Sequence, residues 1–216
     1  MHSMLDLETF GKRAGCAIRS IGAATFKPSG GKPISEFYMN VTKESCLEAG
    51  LQLDQSTLDW WSKQESATQE LLMKDPKPLA EALGNFSAWF HESKAEEVWC
   101  HGAPFDAPIL EACYISIGKE TPWKFWKVRD TRTLHDMAQF DPKSVNFFGT
   151  KHSAIDDVRN QIWHVQLCAQ KLFSPPTVDE AIEAFKGEKL TKDQEGALVN
   201  AGWRRDDPMN PAKIGL

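Results

Sequence analysis

A short apolar stretch at the start of the chain constrains the fold most, because His2–Glu8 has the pattern of a buried strand that carries two acids. Side chains alternate between the two faces of a strand, so Asp6 and Glu8 point the same way. Neighbouring carboxylates repel each other, and burying them without partners is costly. A divalent cation relieves both problems, since hard cations prefer oxygen ligands. The alternative is a charged, solvent-facing strand edge, and this short pattern alone does not decide between the two.

Two further strands are predicted soon after the first, at Cys16–Phe26 and Ile34–Asn40. The connections are rich in glycine and proline, which favours an antiparallel meander of three strands. Helical patterns then alternate with two more strands, at Glu97–His101 and Phe125–Arg129. This order predicts an α/β fold in which helices flank a mixed sheet.

Helices are predicted where apolar residues recur at steps of three and four. One helix runs through Leu58 and Trp61 with Ser56 or Thr57 as its cap. The clearest stripes are Leu79, Leu83, Phe86 and Phe90 in a middle helix, and Ile155, Val158, Ile162, Val165, Ala169 and Leu172 in a later one. Two capping boxes further on predict a short helical appendage at residues 174–216, behind a domain of residues 1–173.

Composition and cysteine usage indicate a cytoplasmic protein without a membrane span. The five cysteines among 216 residues are scattered and form no CxxC pair, so they are predicted to be reduced thiols. We find no signal-peptide pattern and no apolar run near the ~18 residues of a membrane helix. The net charge of -5 gives no overall attraction for nucleic acid, although metal-binding carboxylates contribute to that count.

Acids that follow in the sequence change the interpretation of the first strand. Asp106 stands at a predicted helix start, where capping the helix is the alternative role. The later helix opens with His152, followed by Ser153 as a cap and by two adjacent acids. Asp156 in third position completes a capping box with Ser153. That structural role accounts well for Asp156 and less well for Asp157, and it leaves His152 unexplained.

Taken in order, these motifs resemble those of the DEDDh 3′–5′ exonucleases of the ribonuclease H-like superfamily. Asp6 and Glu8 match the first motif, Asp106 matches the second, and His152 with Asp157 matches the third. The resemblance covers roughly residues 1–173. Further segments are similar to a subfamily that includes ribonuclease AS and exodeoxyribonuclease VIII-type proteins; these are 5–11, 18–23, 56–64 and 129–134.

The resemblance implies a ribonuclease H-like sheet, with an antiparallel meander plus parallel strands, and a two-metal hydrolytic reaction. Asp6, Glu8, Asp106 and Asp157 would hold two Mg²⁺ or Mn²⁺ ions, and His152 would act as general base. The expected activity is removal of nucleoside 5′-monophosphates from the 3′ end of single-stranded RNA or DNA. The sequence leaves the choice between RNA and DNA open. Relatives of this kind also suggest a homodimer.

Two alternatives to this activity stay open. One is a nucleic-acid-binding or scaffold protein on an inactive nuclease fold, although the complete acid set with His152 argues against it. The other is a hydrolase of short oligonucleotides.

Substrate contacts are predicted at Trp61, Phe105 and His101. Trp60 and Trp61 are adjacent, so they point about 100° apart on a helix and one of them is expected in the core. His101 departs from the family pattern, in which asparagine is common at this position. Basic residues interleaved with aromatic ones form either a phosphate-contacting rim or an ordinary half-buried strand; they are Lys119, Lys124, Lys127, Arg129 and Arg132 with Trp123, Phe125 and Trp126.

Overall fold

The computed structural model describes residues 1–173 of the chain and contains a five-stranded mixed sheet. The strands are β1 (His2–Thr9), β2 (Ile18–Phe26), β3 (Ser35–Asn40), β4 (Glu97–Cys100) and β5 (Val128–Asp130). Their spatial order is β3-β2-β1-β4-β5. The first three strands pair antiparallel, whereas β4 pairs parallel with both β1 and β5. The predicted fold class, a ribonuclease H-like mixed sheet flanked by helices, is confirmed.

Helices flank this sheet within the described residues. They are α1 (Lys43–Glu48), α2 (Gln55–Trp61), α3 (Ser66–Met73), α4 (Leu79–Glu92), α5 (Asp106–Ser116), α6 (Thr131–Met137) and α7 (Ala154–Phe173). Over residues 1–173, none of these helices is long and apolar enough to cross a membrane. The predicted appendage at 174–216 lies outside the described residues, and the predicted domain boundary stays a prediction.

Several element boundaries differ from the sequence prediction. Phe125–Lys127 forms a 3₁₀ turn, so the predicted strand there begins only at Val128. β5 is short because its parallel register matches it to only three residues of β4. The helix that contains Trp61 is capped by Asp54, whose carboxylate accepts from the backbone N–H of Thr57 at 3.0 Å. The predictions of Ser56 or Thr57 as the cap were therefore wrong, and α1 and α3 were not predicted.

Alternation along β1 separates two apolar clusters on opposite faces of the sheet. Leu5 and Leu7 belong to a large cluster shared with α4 and α5. Met4 belongs to a smaller cluster shared with α7. By the same alternation Asp6 and Glu8 lie on the face of Met4. The two acids of β1 therefore point to the side of the sheet that α7 covers.

A glycine in β2 lets α7 approach the sheet closely at this point. Gly22 is the cross-strand partner of Asp6, and a Cβ added to it would lie 2.5 Å from the carbonyl carbon of Ala154. Any larger residue would push the first turn of α7 off the sheet. The predicted apolar stripe of α7 buries Val158, Ile162, Val165 and Ala169. The amino-terminal turn of α7 is thereby held over β1, next to Asp6.

Candidate active site

Three carboxylates converge between β1 and α7. Asp6, Glu8 and Asp157 each offer an oxygen atom, and these atoms lie within 4.8 Å of one another. Over residues 1–173 this is the one group of three or more acidic, histidine or cysteine side chains close enough to share a metal ion. The alternation of β1 supplies two of the acids, and the close packing of α7 on Gly22 supplies the third.

Asp106 lies beside this group but is anchored differently. It is the first residue of α5, and its Oδ1 accepts a hydrogen bond of 3.2 Å from the backbone N–H of Leu7. Phe105 occupies the cap position without a side-chain cap. The alternative role of Asp106 as a helix cap is therefore not found. Asp106 is 3% exposed, and its carboxylate instead holds the backbone of Leu7, the residue between Asp6 and Glu8.

The two adjacent acids of α7 have separate surroundings. Asp157 points to Asp6 and Glu8. The Oδ2 of Asp156 accepts from the backbone N–H of Thr150 at 3.0 Å, and its Oδ1 pairs with Arg159 at 2.8 Å. The described hydrogen bonds place Asp156 on the preceding loop rather than on Ser153, so the predicted capping box is wrong. The structure places Asp157, not its neighbour, with the acids of β1.

His152 lies just before α7 and packs against Trp60. Its backbone is left-handed, with φ of 61°, which is uncommon for a residue other than glycine. Its imidazole meets the ring of Trp60 edge to face, with centroids 4.9 Å apart. The side chain is half-buried rather than free in solvent. The third motif thus places a half-buried histidine against Trp60, five residues before Asp157 in the sequence.

The acids of the site have strongly raised pKa values. Burial raises the pKa of Glu8 to about 8, with the neighbouring Asp157 adding to the effect. Burial likewise raises the pKa of Asp106 to about 7 and that of Asp157 to about 6. The pKa of Asp6 is raised well above its ordinary value, first by burial and then by the charges of the other acids. Burial therefore disfavours the ionised form of each acid, and nearby positive charge would favour it.

Burial has the opposite effect on the histidine. Desolvation lowers the pKa of His152 below 6.5, and the nearby charge of Lys151 lowers it further. The imidazole is therefore mainly neutral at pH 7, with a lone pair available to accept a proton.

Gln161 is a site residue that the sequence analysis missed. Its Nε2 donates to Oδ1 of Asp6 at 2.7 Å. Its Oε1 is buried without a hydrogen-bond partner in the described part of the chain. Gln161 follows Asp157 by four residues, so it lies one helical turn along the same face. The spacing of four residues from Asp157 was the sign in the sequence that Gln161 belongs to the site.

Arg19 is a second residue that the sequence analysis missed. It is buried in β2, where its guanidinium carbon lies 4.5 Å from the ring centroid of Trp61. It donates to Oε1 of Gln69 at 2.8 Å. Its charge opposes the rise in the pKa of Glu8. A lone arginine within an otherwise apolar strand pattern was the sign of such a buried cation.

A pocket of about 350 Å³ opens beside Glu8. Its walls come from β1, the loop after it, α2 and Phe105. Trp61 is 4% exposed, and its indole N–H donates to the carbonyl of Thr9 at 2.8 Å, whereas Trp60 is 42% exposed. Two of the predicted substrate contacts, Phe105 and Trp61, line this pocket. Trp60 presents more accessible ring surface than Trp61.

The third predicted contact, His101, is not among the residues that line this pocket. Its Nδ1 lies 2.8 Å from Oγ1 of Thr131, and its ring packs 5.7 Å from that of His135. Its role in substrate binding stays a prediction. In the predicted basic rim, Lys127 and Arg129 each pair with Glu97 at 3.4 Å. These ion pairs favour the alternative interpretation, in which Lys127 and Arg129 belong to an ordinary half-buried strand and not to a phosphate-contacting rim.

Comparison with known proteins identifies the family of this chain and solved structures with a similar fold. Residues 1–169 match the family model described as the 3′–5′ exoribonuclease Rv2179c-like domain. None of the curated proteins matches this chain. The crystal structure of the nuclease domain of 3′hExo, a DEDDh family member bound to rAMP, matches with a TM-score of 0.53 and 15% identity. That match covers 79% of this chain and 92% of the other, and it shows a shared fold.

Proposed function

We propose that this chain, which belongs to the Rv2179c-like 3′–5′ exoribonuclease domain family, acts as a DEDDh-type exonuclease. It would shorten single-stranded RNA from the 3′ end and release nucleoside 5′-monophosphates. The observation that carries the proposal is the group formed by Asp6, Glu8 and Asp157, with oxygen atoms within 4.8 Å. The description of the family as exoribonucleases supports RNA over DNA.

The donor set of the site fits divalent metal ions. It consists of carboxylate oxygens, the ligands that Mg²⁺ and Mn²⁺ prefer. Burial raises the pKa of Asp6 and Glu8, and a bound cation would favour their ionised forms. The buried Oε1 of Gln161 offers a further acceptor for the water that a hydrated cation brings. Asp6, Glu8, Asp106 and Asp157 would hold two ions. When bound, these ions would supply positive charge to the scissile phosphate and activate water for attack.

His152 would accept the proton of the attacking water. The water oxygen bonds to the phosphorus of the terminal nucleotide while the bond from phosphorus to the 3′ oxygen of the preceding nucleotide breaks. The products are a nucleoside 5′-monophosphate and a strand with a new 3′-hydroxyl. The lowered pKa of His152 keeps its imidazole neutral and able to accept this proton at neutral pH.

The pocket beside Glu8 would receive the terminal nucleotide. Trp60 is the exposed tryptophan of the pair, so it is better placed than Trp61 to stack on a base. Such stacking is worth about 1–3 kcal/mol per base. Trp61, held by its bond to Thr9 and by the guanidinium of Arg19, forms the floor of the pocket.

A time course on 5′-labelled single-stranded RNA and DNA of the same sequence, with Mg²⁺, tests the substrate. We expect a ladder of products shortened one nucleotide at a time on RNA, with much slower shortening of DNA. The Asp157→Asn variant is the matched control, since its products would reveal a contaminating nuclease. Equal ladders on both substrates would remove the preference for RNA, and a ladder on neither would favour a binding protein on an inactive nuclease fold.

A further inference from the structure

The loop that carries His152 has little regular structure of its own. It follows a 3₁₀ turn at Pro142–Ser144 and ends where α7 begins at Ala154. Phe148, in the middle of the loop, is largely exposed, and its ring lies 5.4 Å from that of Trp163 on α7. A general base must be positioned within hydrogen-bond reach of the proton that it removes. Hydrogen bonds from α7 to the backbone of the loop add to this ring contact.

Asn160 supplies the first of these contacts from the second turn of α7. Its side chain is 4% exposed and makes three hydrogen bonds. Oδ1 accepts from the backbone N–H of Phe148 at 3.0 Å, and Nδ2 donates to the carbonyl of Phe148 at 2.7 Å. Nδ2 also donates to the carbonyl of Asp156 at 2.7 Å. One buried amide thus holds both polar groups of a loop residue against the helix.

Asp156 supplies a second contact two residues further along the loop. Its carboxylate accepts the N–H of Thr150, and Gly149 packs on it with a φ of 97°. A Cβ at Gly149 would lie 2.6 Å from the carboxylate carbon, so the close approach requires glycine. Arg159 holds Asp156 and also forms a two-point ion pair with Glu36 of β3. The loop is therefore fastened at Phe148 and at Thr150, just before the histidine.

The loop ends close to a residue with a strained backbone conformation. His152 has a left-handed backbone, which costs on the order of 1 kcal/mol and persists only where surrounding contacts determine it. The imidazole lies edge-on against Trp60. If the loop is released at Phe148, we expect the imidazole of His152 to be held less firmly against Trp60.

We propose that Asn160 is a positioning residue, which holds the Phe148 peptide so that the imidazole of His152 stands where it accepts the proton of the attacking water. The proposal rests on the proposed role of His152 as base. Asn160 lies on the helix face that meets the loop, whereas Asp157 and Gln161 lie on the face that meets Asp6. Loss of Asn160 should therefore slow turnover and leave the binding of metal and RNA nearly unchanged.

A double-mutant cycle between Asn160→Ala and His152→Ala tests this inference. We expect Asn160→Ala alone to lower kcat by about 10- to 100-fold, the usual cost of misplacing a catalytic group. KM for RNA and the rise in Tm on addition of Mn²⁺ alone should stay near wild type. In the His152→Ala background, adding Asn160→Ala should lower kcat less than twofold, because the base that it positions is gone.

Val165→Ala is the matched control, since Val165 is buried on α7 but packs in the small apolar cluster away from the loop. It should lower Tm while leaving kcat within about twofold of wild type in either background. If Asn160→Ala unfolds the protein, Asn160→Asp serves in its place. This variant keeps the acceptor for Phe148 and removes both donated bonds, and the same non-additivity is expected.

The outcomes separate the inference from the function on which it rests. Equal losses from Asn160→Ala in both backgrounds, or a wild-type kcat in the single variant, would overturn the positioning role and leave the base in place. A His152→Ala enzyme with wild-type kcat would remove the base, and the positioning role with it. A loss of Mn²⁺ stabilisation in Asn160→Ala would show an effect on the acids instead.

Discussion

The two faces of β1 bury very different side chains. On the face toward α4 and α5, Leu5 and Leu7 enter a large apolar cluster that includes Phe86. On the face toward α7, Asp6 and Glu8 lie in a group of acids with raised pKa values. Burial of apolar surface stabilises the first face, whereas burial of charge destabilises the second.

This difference shows how one strand supports both the fold and the site. A shift of one residue in register would exchange the two faces, placing acids in the core and leucines in the site. The pairing of Asp6 with Gly22 and of Leu5 with Ala23 fixes that register. Stability and activity should therefore respond separately to substitutions on the two faces.

The largest effect is expected on the acid face, from Asp157→Asn. Removing a ligand of the proposed metal site should lower turnover on RNA by roughly 10³-fold, because bound metal ions contribute several kcal/mol to such a reaction. The fold should persist, and Tm without metal should stay level or rise, since one repelling charge is gone. Turnover and melting curves of the variant check both parts. A variant that keeps wild-type turnover would remove Asp157 from the metal site.

Truncating a buried side chain on the apolar face should lower stability without lowering turnover. Phe86 is fully buried against Phe37 and Phe90, so Phe86→Ala should lower the free energy of unfolding by about 3–5 kcal/mol. Below the lowered Tm, kcat should remain within a few-fold of wild type. Denaturant unfolding and turnover at low temperature measure the two quantities. A parallel collapse of kcat in folded protein would show that the two faces are not separable.

A smaller effect is expected from Gln161→Leu, which keeps the size of the side chain but removes its bond to Asp6. Residues that orient metal ligands typically contribute 10- to 100-fold to affinity. We therefore expect Mn²⁺ affinity, measured by calorimetry, to fall by about that factor. Gln166→Leu is the control on the same helix, since Gln166 donates to the carbonyls of Lys27 and Gly31 in the β2–β3 connection. Equal affinities in the two variants would contradict a role for Gln161 at the metal site.

The smallest expected effect is the pH dependence of stability in metal-free protein. The pKa values of Glu8, about 8, and Asp106, about 7, lie above those of unfolded acids near 4. Between pH 6.5 and 8 the folded state thus holds more protons than the unfolded state, so stability should fall as pH rises. The histidines with lowered pKa values act in the opposite direction, but only below about pH 6.5.

Melting curves in EDTA across this pH range check the slope, and saturating Mg²⁺ should flatten it. Glu8→Gln is the matched variant, because it removes an acid whose pKa of about 8 lies at the upper end of the range, and it should reduce the slope. Stability that rises with pH from 6.5 to 8 would contradict the burial of these acids.

The parts of the site that depend on local pattern were predictable from the sequence. Strand alternation puts Asp6 and Glu8 on one face, and the apolar stripe of α7 fixes where that helix packs. The parts that depend on distant contacts were not. Asp106 bonds to Leu7 across 99 residues of sequence, so its local role as a cap was equally plausible.

Asp156 is a similar case, because its capping box was a sound local pattern that a loop contact displaced. The burial of Trp61 rather than Trp60 follows from the way α2 sits on Thr9, which periodicity does not reveal. Where a side chain has both a local and a distant partner available, the tertiary structure decides between them.

Product analysis in the presence and absence of metal tests the central claim most directly. With 5′-labelled single-stranded RNA and Mg²⁺, wild-type protein should give a ladder that shortens from the 3′ end and releases nucleoside 5′-monophosphates. Excess EDTA should abolish the ladder, and added Mg²⁺ or Mn²⁺ should restore it, because the acids between β1 and α7 need a cation to act. Undiminished shortening in excess chelator, with Asp157→Asn as active as wild type, would contradict the account.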